Sequence, residues 1–136
     1  MNEKNKEIIE EVLDEIDAAL KDPRGMHIHQ RRIALSLSLG SVALIEIYLN
    51  KLGVLKPGYK INHQWFKKKK ENVKKIIDGI LIASLNNNQK FDKILDIVFN
   101  IEKERNELAY GKKASEEKIR KEISLFLDLK KEVEND

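Results

Sequence analysis

The sequence predicts an all-α fold, a single domain over residues 1–136 built as an antiparallel bundle of four to five helices. Apolar residues recur at helical spacing along five segments. Clusters of Gly, Pro and Asn separate these segments, and none of them reads as a convincing strand. Because the connections are short, sequential helices are expected to pack antiparallel.

Composition limits the classes of function. The chain is 36% charged and 41% hydrophobic, which is typical of a globular domain, and it has no cysteine for a disulfide, a thiolate metal site or a nucleophile. The most apolar stretch, Ile33–Leu49, is interrupted by serines, Gly40 and Glu46. It therefore falls short of the roughly 18 residues of a membrane span. We expect a cytoplasmic protein with no membrane segment and no cofactor.

The first two helices are predicted from about Asn2 to Lys21 and from about Met26 to Leu52. Asp22-Pro-Arg-Gly25 separates them, because proline cannot continue a helix. The second helix is apolar nearly all round, which predicts a central position in the bundle. The first helix carries one apolar stripe, expected to face inward: Ile9, Val12, Leu13, Ile16, Ala19 and Leu20.

Three further helices follow the loop from Gly53 to Asn62. The third is predicted from Asn62, as its N-cap, to about Leu85, and the fourth from about Gln89 to Tyr110. Gly111 is expected to end the fourth helix, and Ser115 to cap the fifth. The inward faces are expected to be Phe66, Val73, Ile76, Ile77, Ile80 and Leu81 in the third helix, Phe91, Leu95, Val98, Ile101 and Leu108 in the fourth, and Ile119, Ile123, Phe126, Leu127 and Val133 in the fifth.

Arg105 is the most informative single residue. Its spacing from Val98, Ile101 and Leu108 places a guanidinium on the apolar face of the fourth helix. Such a group needs a carboxylate, carbonyls or a wet cleft, unless its stem packs while its head reaches solvent. Asn106 and Tyr110 are expected to cluster beside it.

Glu46 is a lone acid in the apolar second helix. It is interpreted either as the structural partner of Arg105 across the bundle or as part of a thin solvent-facing stripe.

A basic segment with aromatic neighbours lies in the third helix. Lys67, Lys68, Lys69 and Lys70, here called the lysine run, follow Trp65 and Phe66. Lysines neutralise phosphates, and an aromatic face stacks on a base, so the run and Trp65 form a candidate nucleic-acid surface. A solvated helix face, with Phe66 in the core, is the competing interpretation.

Two other patterns are weaker. Ser36, Gly40 and Ala43 place small side chains on one face of the second helix, where a helix of the same chain or of a second protomer can approach closely. His27 and His29 are two residues apart, which puts them on different faces of a helix, and His63 is distant in sequence. We therefore expect no metal site. No phosphate loop, paired-carboxylate motif or Ser/His/Asp pattern is present.

The segment Glu104-Arg-Asn-Glu-Leu-Ala-Tyr-Gly111 resembles the HEPN superfamily, whose signature is an Arg, commonly followed by Asn, and a His separated from the Arg by four to six residues. The apolar second helix, the number of helices and the late position of the motif are also similar. The resemblance implies an all-α bundle, a homodimer and binding of RNA or a nucleotide. In active members it implies metal-independent RNA cleavage, often as the toxin of a toxin–antitoxin pair with a nucleotidyltransferase-type protein partner.

The chain departs from that signature at the histidine, because the position holds Tyr110. Tyrosine titrates near ~10, so it is a poor proton shuttle at neutral pH, although it can donate a hydrogen bond to phosphate. The resemblance assigns Arg105, Asn106 and Tyr110 as the catalytic group of an endoribonuclease. The alternative function is a non-catalytic helical module that binds a protein partner.

Overall fold

The computed structural model describes residues 3–135, and this part of the chain is helical with no strand. One isolated bridge pairs Leu55 with Leu81. Two short 3₁₀ turns, Met26–His29 and His63–Lys67, precede the second and third helices. The five α-helices are α1 (Glu3–Lys21), α2 (Gln30–Lys51), α3 (Lys70–Asp78), α4 (Gln89–Tyr110) and α5 (Glu116–Glu134).

Helix α2 is the centre of the fold, as its apolar sequence predicts. It packs against α1, α4 and α5. Together with the turn before it, Met26–Lys51 is the one described helix long and apolar enough to cross a membrane. Of its most apolar window, 61% is buried against the rest of the protein, as expected for a core helix.

Gly40 explains how the neighbouring helices approach α2 so closely. A Cβ atom at this position would lie 2.7 Å from Cε1 of Phe126 in α5 and 3.1 Å from Cγ2 of Val12 in α1. The Phe126 ring is fully buried and has little room to move. Of the two interpretations of the small-residue face, packing within the chain therefore accounts for Gly40.

The predicted helix ends are confirmed where a polar side chain caps the backbone. Ser115 accepts a hydrogen bond from the Lys118 amide at 3.1 Å and caps α5 as predicted. Asn62 accepts one from the Gln64 amide at 2.9 Å, but it caps the 3₁₀ turn His63–Lys67 and not the predicted third helix. Gly111 ends α4 in an extended conformation. Its Cβ would lie 2.3 Å from the Glu107 carbonyl oxygen, so the closeness of the backbone requires glycine here. The predicted first residue of α1, Asn2, lies outside the described residues.

The predicted long third helix is wrong. After the His63–Lys67 turn the backbone is extended at Lys68 and Lys69, and α3 ends at Asp78. The reason is tertiary pairing: the amides of Lys56 and Ile82 donate to the Ile80 and Val54 carbonyls at 3.0 and 2.7 Å. These bonds to the preceding loop compete with helix continuation, and they override a periodic sequence pattern.

Most predicted core positions are buried, Leu13, Ile76 and Ile80 are partly buried, and two leucines are exposed. Leu20 is 44% exposed and Leu127 is 40% exposed. Each lies at the edge of its apolar stripe, where the helix surface turns away from its neighbour.

Candidate functional site

An open depression lies between the His63–Lys67 turn and α4. Its volume is about 540 Å³, which is within the range of small-ligand sites. The aromatic rings of Phe66 and Phe99 meet edge to face beside it, with centroids 5.1 Å apart, and they join the turn to the helix. The depression, here called the Arg105 pocket, is lined by His63, Phe66, Lys67, Phe99, Asn100, Glu102, Lys103, Arg105 and Asn106.

Arg105 lines this open depression. Its Nη1 donates a hydrogen bond to Oδ1 of Asn106 at 2.9 Å. Its Nε is buried and has no hydrogen-bond partner. A buried donor without a partner is costly, so Arg105 keeps an unsatisfied hydrogen-bonding capacity within the described chain.

Glu102 is the second unsatisfied group in the pocket. Its side chain is only 7% exposed, and its Oε1 lies 3.5 Å from Nδ1 of His63. Its other oxygen, Oε2, is buried without a partner. One pocket of the described chain thus holds an orphaned carboxylate oxygen and an orphaned guanidinium nitrogen, three residues apart on α4.

The other two residues predicted beside Arg105 are elsewhere. Tyr110 is 72% exposed and does not line the Arg105 pocket. Glu46 does not pair with Arg105: its carboxylate accepts hydrogen bonds from the Ile61 amide at 2.7 Å and from Nδ2 of Asn5 at 3.1 Å. The predicted pair is therefore wrong. Glu46 instead fixes the loop that leads into the His63–Lys67 turn.

The lysine run is not one continuous helical surface, because the extended residues Lys68 and Lys69 separate the His63–Lys67 turn from α3. Lys67 lines the Arg105 pocket, and Lys68 and Lys69 are exposed. Lys70 instead forms ion pairs with Asp92 at 2.9 Å and Asp96 at 2.7 Å. Burial alone would lower the pKa of Lys70, but the hydrogen bonds to these two carboxylates outweigh it and raise the pKa.

The charge of Lys70 is therefore already neutralised within the chain. Asp92 also pairs with Lys74 at 3.0 Å, and the hydrogen bonds from the two lysines lower the pKa of its carboxyl. The lysine run consequently offers fewer unpaired positive charges to a ligand than the sequence indicates.

Trp65 is half-buried and packs against the core. Part of it lines a second, more apolar depression with Leu39 and Val42 of α2, and His63 borders both depressions. On the exposed side of α2, Leu35 is 41% and Leu39 is 54% exposed. An aromatic and aliphatic surface thus continues from the Arg105 pocket along α2.

The three histidines lie in three different environments. His29 is buried between two carboxylates, with Nδ1 2.7 Å from Glu15 and Nε2 2.8 Å from Asp22. His27 lines a separate surface depression beside Arg31 and Lys113. His63 alone among them shares a pocket with Arg105.

The pocket combines three cations, Lys67, Lys103 and Arg105, with one carboxylate and one imidazole. Cations around an open cleft attract phosphate, and an imidazole beside a carboxylate transfers protons. Sequence reasoning found Arg105, Asn106 and Lys67 but missed Glu102, Lys103 and His63. Of these three residues, only Glu102 could have been noticed in the sequence, because it is an acid that directly follows the core residue Ile101 on the helix of Arg105.

The comparisons with known proteins add no relative. No family model, curated protein or solved structure matches this chain.

Proposed function

We propose that the protein is a HEPN-like, antiparallel helical domain that binds RNA, with the Arg105 pocket as the site for a backbone phosphate. The observation that carries the proposal is the buried, unpartnered Nε of Arg105 in an open cleft with three cations. Guanidinium binds phosphate with charge-assisted hydrogen bonds, and a phosphate oxygen in the cleft becomes the missing acceptor once a change of side-chain rotamer exposes Nε.

The ligand is RNA or a nucleotide in this proposal, and Asn106 and Lys67 assist Arg105. Asn106 already holds Nη1 of Arg105, which fixes the plane of the guanidinium. Lys67 and Lys103 bring two further charges to the rim of the pocket. Trp65 offers a half-buried ring for base stacking next to the same cleft.

Binding of a labelled single-stranded RNA, followed by fluorescence anisotropy over a salt series, tests the proposal. Arg105→Ala removes the central contact and should weaken binding about tenfold. Lys67→Ala should weaken binding less and reduce the salt slope by about 0.7. Lys70→Ala is the matched control: this lysine belongs to the same run but is neutralised by Asp92 and Asp96, so affinity should change little.

An affinity that Arg105→Ala leaves unchanged would contradict the proposal. An equal loss of RNA affinity in Lys67→Ala and Lys70→Ala would indicate that RNA is bound by a diffuse electrostatic surface and not by the Arg105 pocket. Addition of a mononucleotide separates the two ligand classes, because a nucleotide site is competed at low concentration and an extended RNA site is not.

The second candidate function, a helical module that binds a protein, is favoured by the exposed apolar surface of α2. Leu35, Leu39 and Val42 follow each other at helical spacing on the surface that continues to Trp65. A homodimer through this face would agree with the HEPN-like proposal. Sedimentation of the wild type and of Leu39→Lys tests it, since a charge in a buried interface should give a monomer.

The toxin–antitoxin role, a nucleotidyltransferase-type partner and the cytoplasmic location remain proposals that rest on the sequence resemblance and on composition. Co-expression with the product of a neighbouring reading frame, followed by purification through a tag on one chain, tests the partner. Recovery of this chain alone would contradict it.

A further inference from the structure

His63 and Glu102 form a couple that the motif on α4 does not contain. His63 comes from the turn before α3, 39 residues away from Glu102 in the chain. The Nδ1 atom of His63 faces Oε1 of Glu102 at 3.5 Å, and the described residues provide no partner for its Nε2. Both side chains line the pocket that holds Arg105.

The geometry points to His63 as the catalytic residue of RNA cleavage in this pocket, with Glu102 as the positioning residue that orients its ring. The inference rests on the proposed RNA-binding function. A carboxylate at Nδ1 holds that nitrogen in its protonated form and leaves Nε2 as the acceptor. The separation of 3.5 Å is longer than a well-formed hydrogen bond, and we expect it to shorten when the site closes on its ligand.

The orphaned oxygen of Glu102 supports the same assignment. A buried carboxylate with one weak contact is expensive for the fold, because burial disfavours a charge that is not fully hydrogen-bonded. A cation adjacent to it, such as the imidazolium formed when His63 accepts a proton, lowers that cost. The pocket therefore stabilises the charged state that appears during the reaction more than the resting state.

The reaction balances without a metal, an oxidant or a second substrate. Nε2 of His63 accepts the proton of a ribose 2′-hydroxyl, and O2′ forms a bond to the adjacent phosphorus. The bond from phosphorus to O5′ breaks with its electron pair, and O5′ takes a proton from the imidazolium or from water. The products are a 2′,3′-cyclic phosphate end and a 5′-hydroxyl end, while Arg105 holds the charge on the non-bridging oxygens.

Glu102 is the one anion among the described residues that line the two depressions beside His63. The other charged lining groups are cations: Lys103 and Arg105 of α4, Lys67 of the same turn, and Lys60 of the loop before it. Replacement of Glu102 by a neutral amide therefore removes the carboxylate that orients the ring and leaves the cations that hold phosphate in place.

The experiment uses the full chain and a DNA oligonucleotide that contains one ribonucleotide, with chelator present, and an all-deoxy oligonucleotide as the substrate control. RNA affinity is measured for every variant, so that loss of binding and loss of chemistry are separated. The wild type should cleave after the single ribose and leave a cyclic phosphate. His63→Ala should bind RNA within about twofold and cleave about 10²–10⁴-fold more slowly, with partial recovery in added imidazole.

Glu102→Gln should lower kcat about tenfold with KM nearly unchanged, and Tyr110→Phe should cleave like the wild type. RNA binding without cleavage by the wild type would overturn this inference and leave the proposed function intact. Cleavage that survives His63→Ala, or that Tyr110→Phe abolishes, would also overturn it. Absence of RNA binding would instead remove the proposed function on which it rests.

Discussion

Two regions of the molecule combine a histidine, carboxylates and an arginine, and they differ in how completely their polar atoms are paired. In the first region, both ring nitrogens of His29 face carboxylate oxygens within 2.8 Å, and Asp22 also accepts three hydrogen bonds from Arg24. In the Arg105 pocket the histidine has one contact at 3.5 Å, and two buried polar atoms have no partner.

The same residue types therefore serve different purposes. The His29 group is complete within the chain, so it joins α1, the following turn and α2 and needs nothing from outside. The hydrogen bonds from Arg24, and then from His29, hold the pKa of the Asp22 carboxyl far below its usual range. The Arg105 pocket is incomplete, and groups that a fold leaves unpaired are characteristic of sites that bind a ligand.

The largest expected effect is the loss of stability when the complete region is broken. His29→Ala leaves Glu15 and Asp22 facing each other without the imidazole between them, and we expect it to cost about 2–3 kcal/mol of unfolding free energy. His63→Ala is the matched control and should change the unfolding free energy by less than about 0.5 kcal/mol. Urea unfolding of both variants measures the contrast. Equal losses at the two histidines would remove the distinction between the regions.

A carboxyl in α5 gives an effect of intermediate size. Glu122 is 3% exposed, and burial, aided by the charge of Glu104, raises its pKa to about 7. Because the folded-state pKa lies above the unfolded value, this group stabilises the fold below pH 4.5, and that contribution is lost as the pH rises through about 7.

Glu122→Gln should therefore leave the unfolding free energy unchanged at pH 4 and raise it by about 1–2 kcal/mol at pH 8, when solvent screening is allowed for. Thermal unfolding of both proteins across this pH range checks the prediction. A variant that is destabilised equally at both values would show that the carboxyl is needed for packing rather than tolerated at a cost.

The smallest effect has the opposite sign and lies in the incomplete region. Arg105→Met keeps the apolar stem and removes the buried Nε that lacks a partner, so we expect the unfolding free energy to rise by about 0.5–1 kcal/mol. RNA affinity should fall in the same variant. Unfolding curves of Arg105→Met beside Arg105→Lys measure it, and a destabilised Arg105→Met would mean that the guanidinium supports the fold.

The sequence predicted α4 and α5 well because their ends depend on local chemistry. Gly111 and Ser115 act within one turn of their helices, and the apolar face of α4 follows from spacing alone. The prediction of the third helix was wrong because the backbone of Ile80 and Ile82 forms hydrogen bonds with a loop about 25 residues earlier in the chain. No short-range pattern carries that information.

The wrong prediction of a continuous third helix is also the reason why the His63 side of the Arg105 pocket was not predicted. A continuous helix from Asn62 to Leu85 would have made the lysine run one surface and would have given His63 no particular neighbour. The extended backbone at Lys68 and Lys69 instead separates the turn from α3 and sets the turn against α4. Arg105 was identified because its own helix reveals its position, whereas His63 depends on a contact between distant segments.

Glu46 has a consequence for measurements on the site. Its carboxylate receives the Ile61 amide, two residues before His63, so that one amide proton exchanges with solvent only when the carboxylate releases the loop. The exchange rate of the Ile61 amide therefore counts the openings of the segment that carries His63. A ligand that bridges His63 and Arg105 would slow that exchange in proportion to its occupancy, which makes a single backbone resonance a titration signal for the pocket.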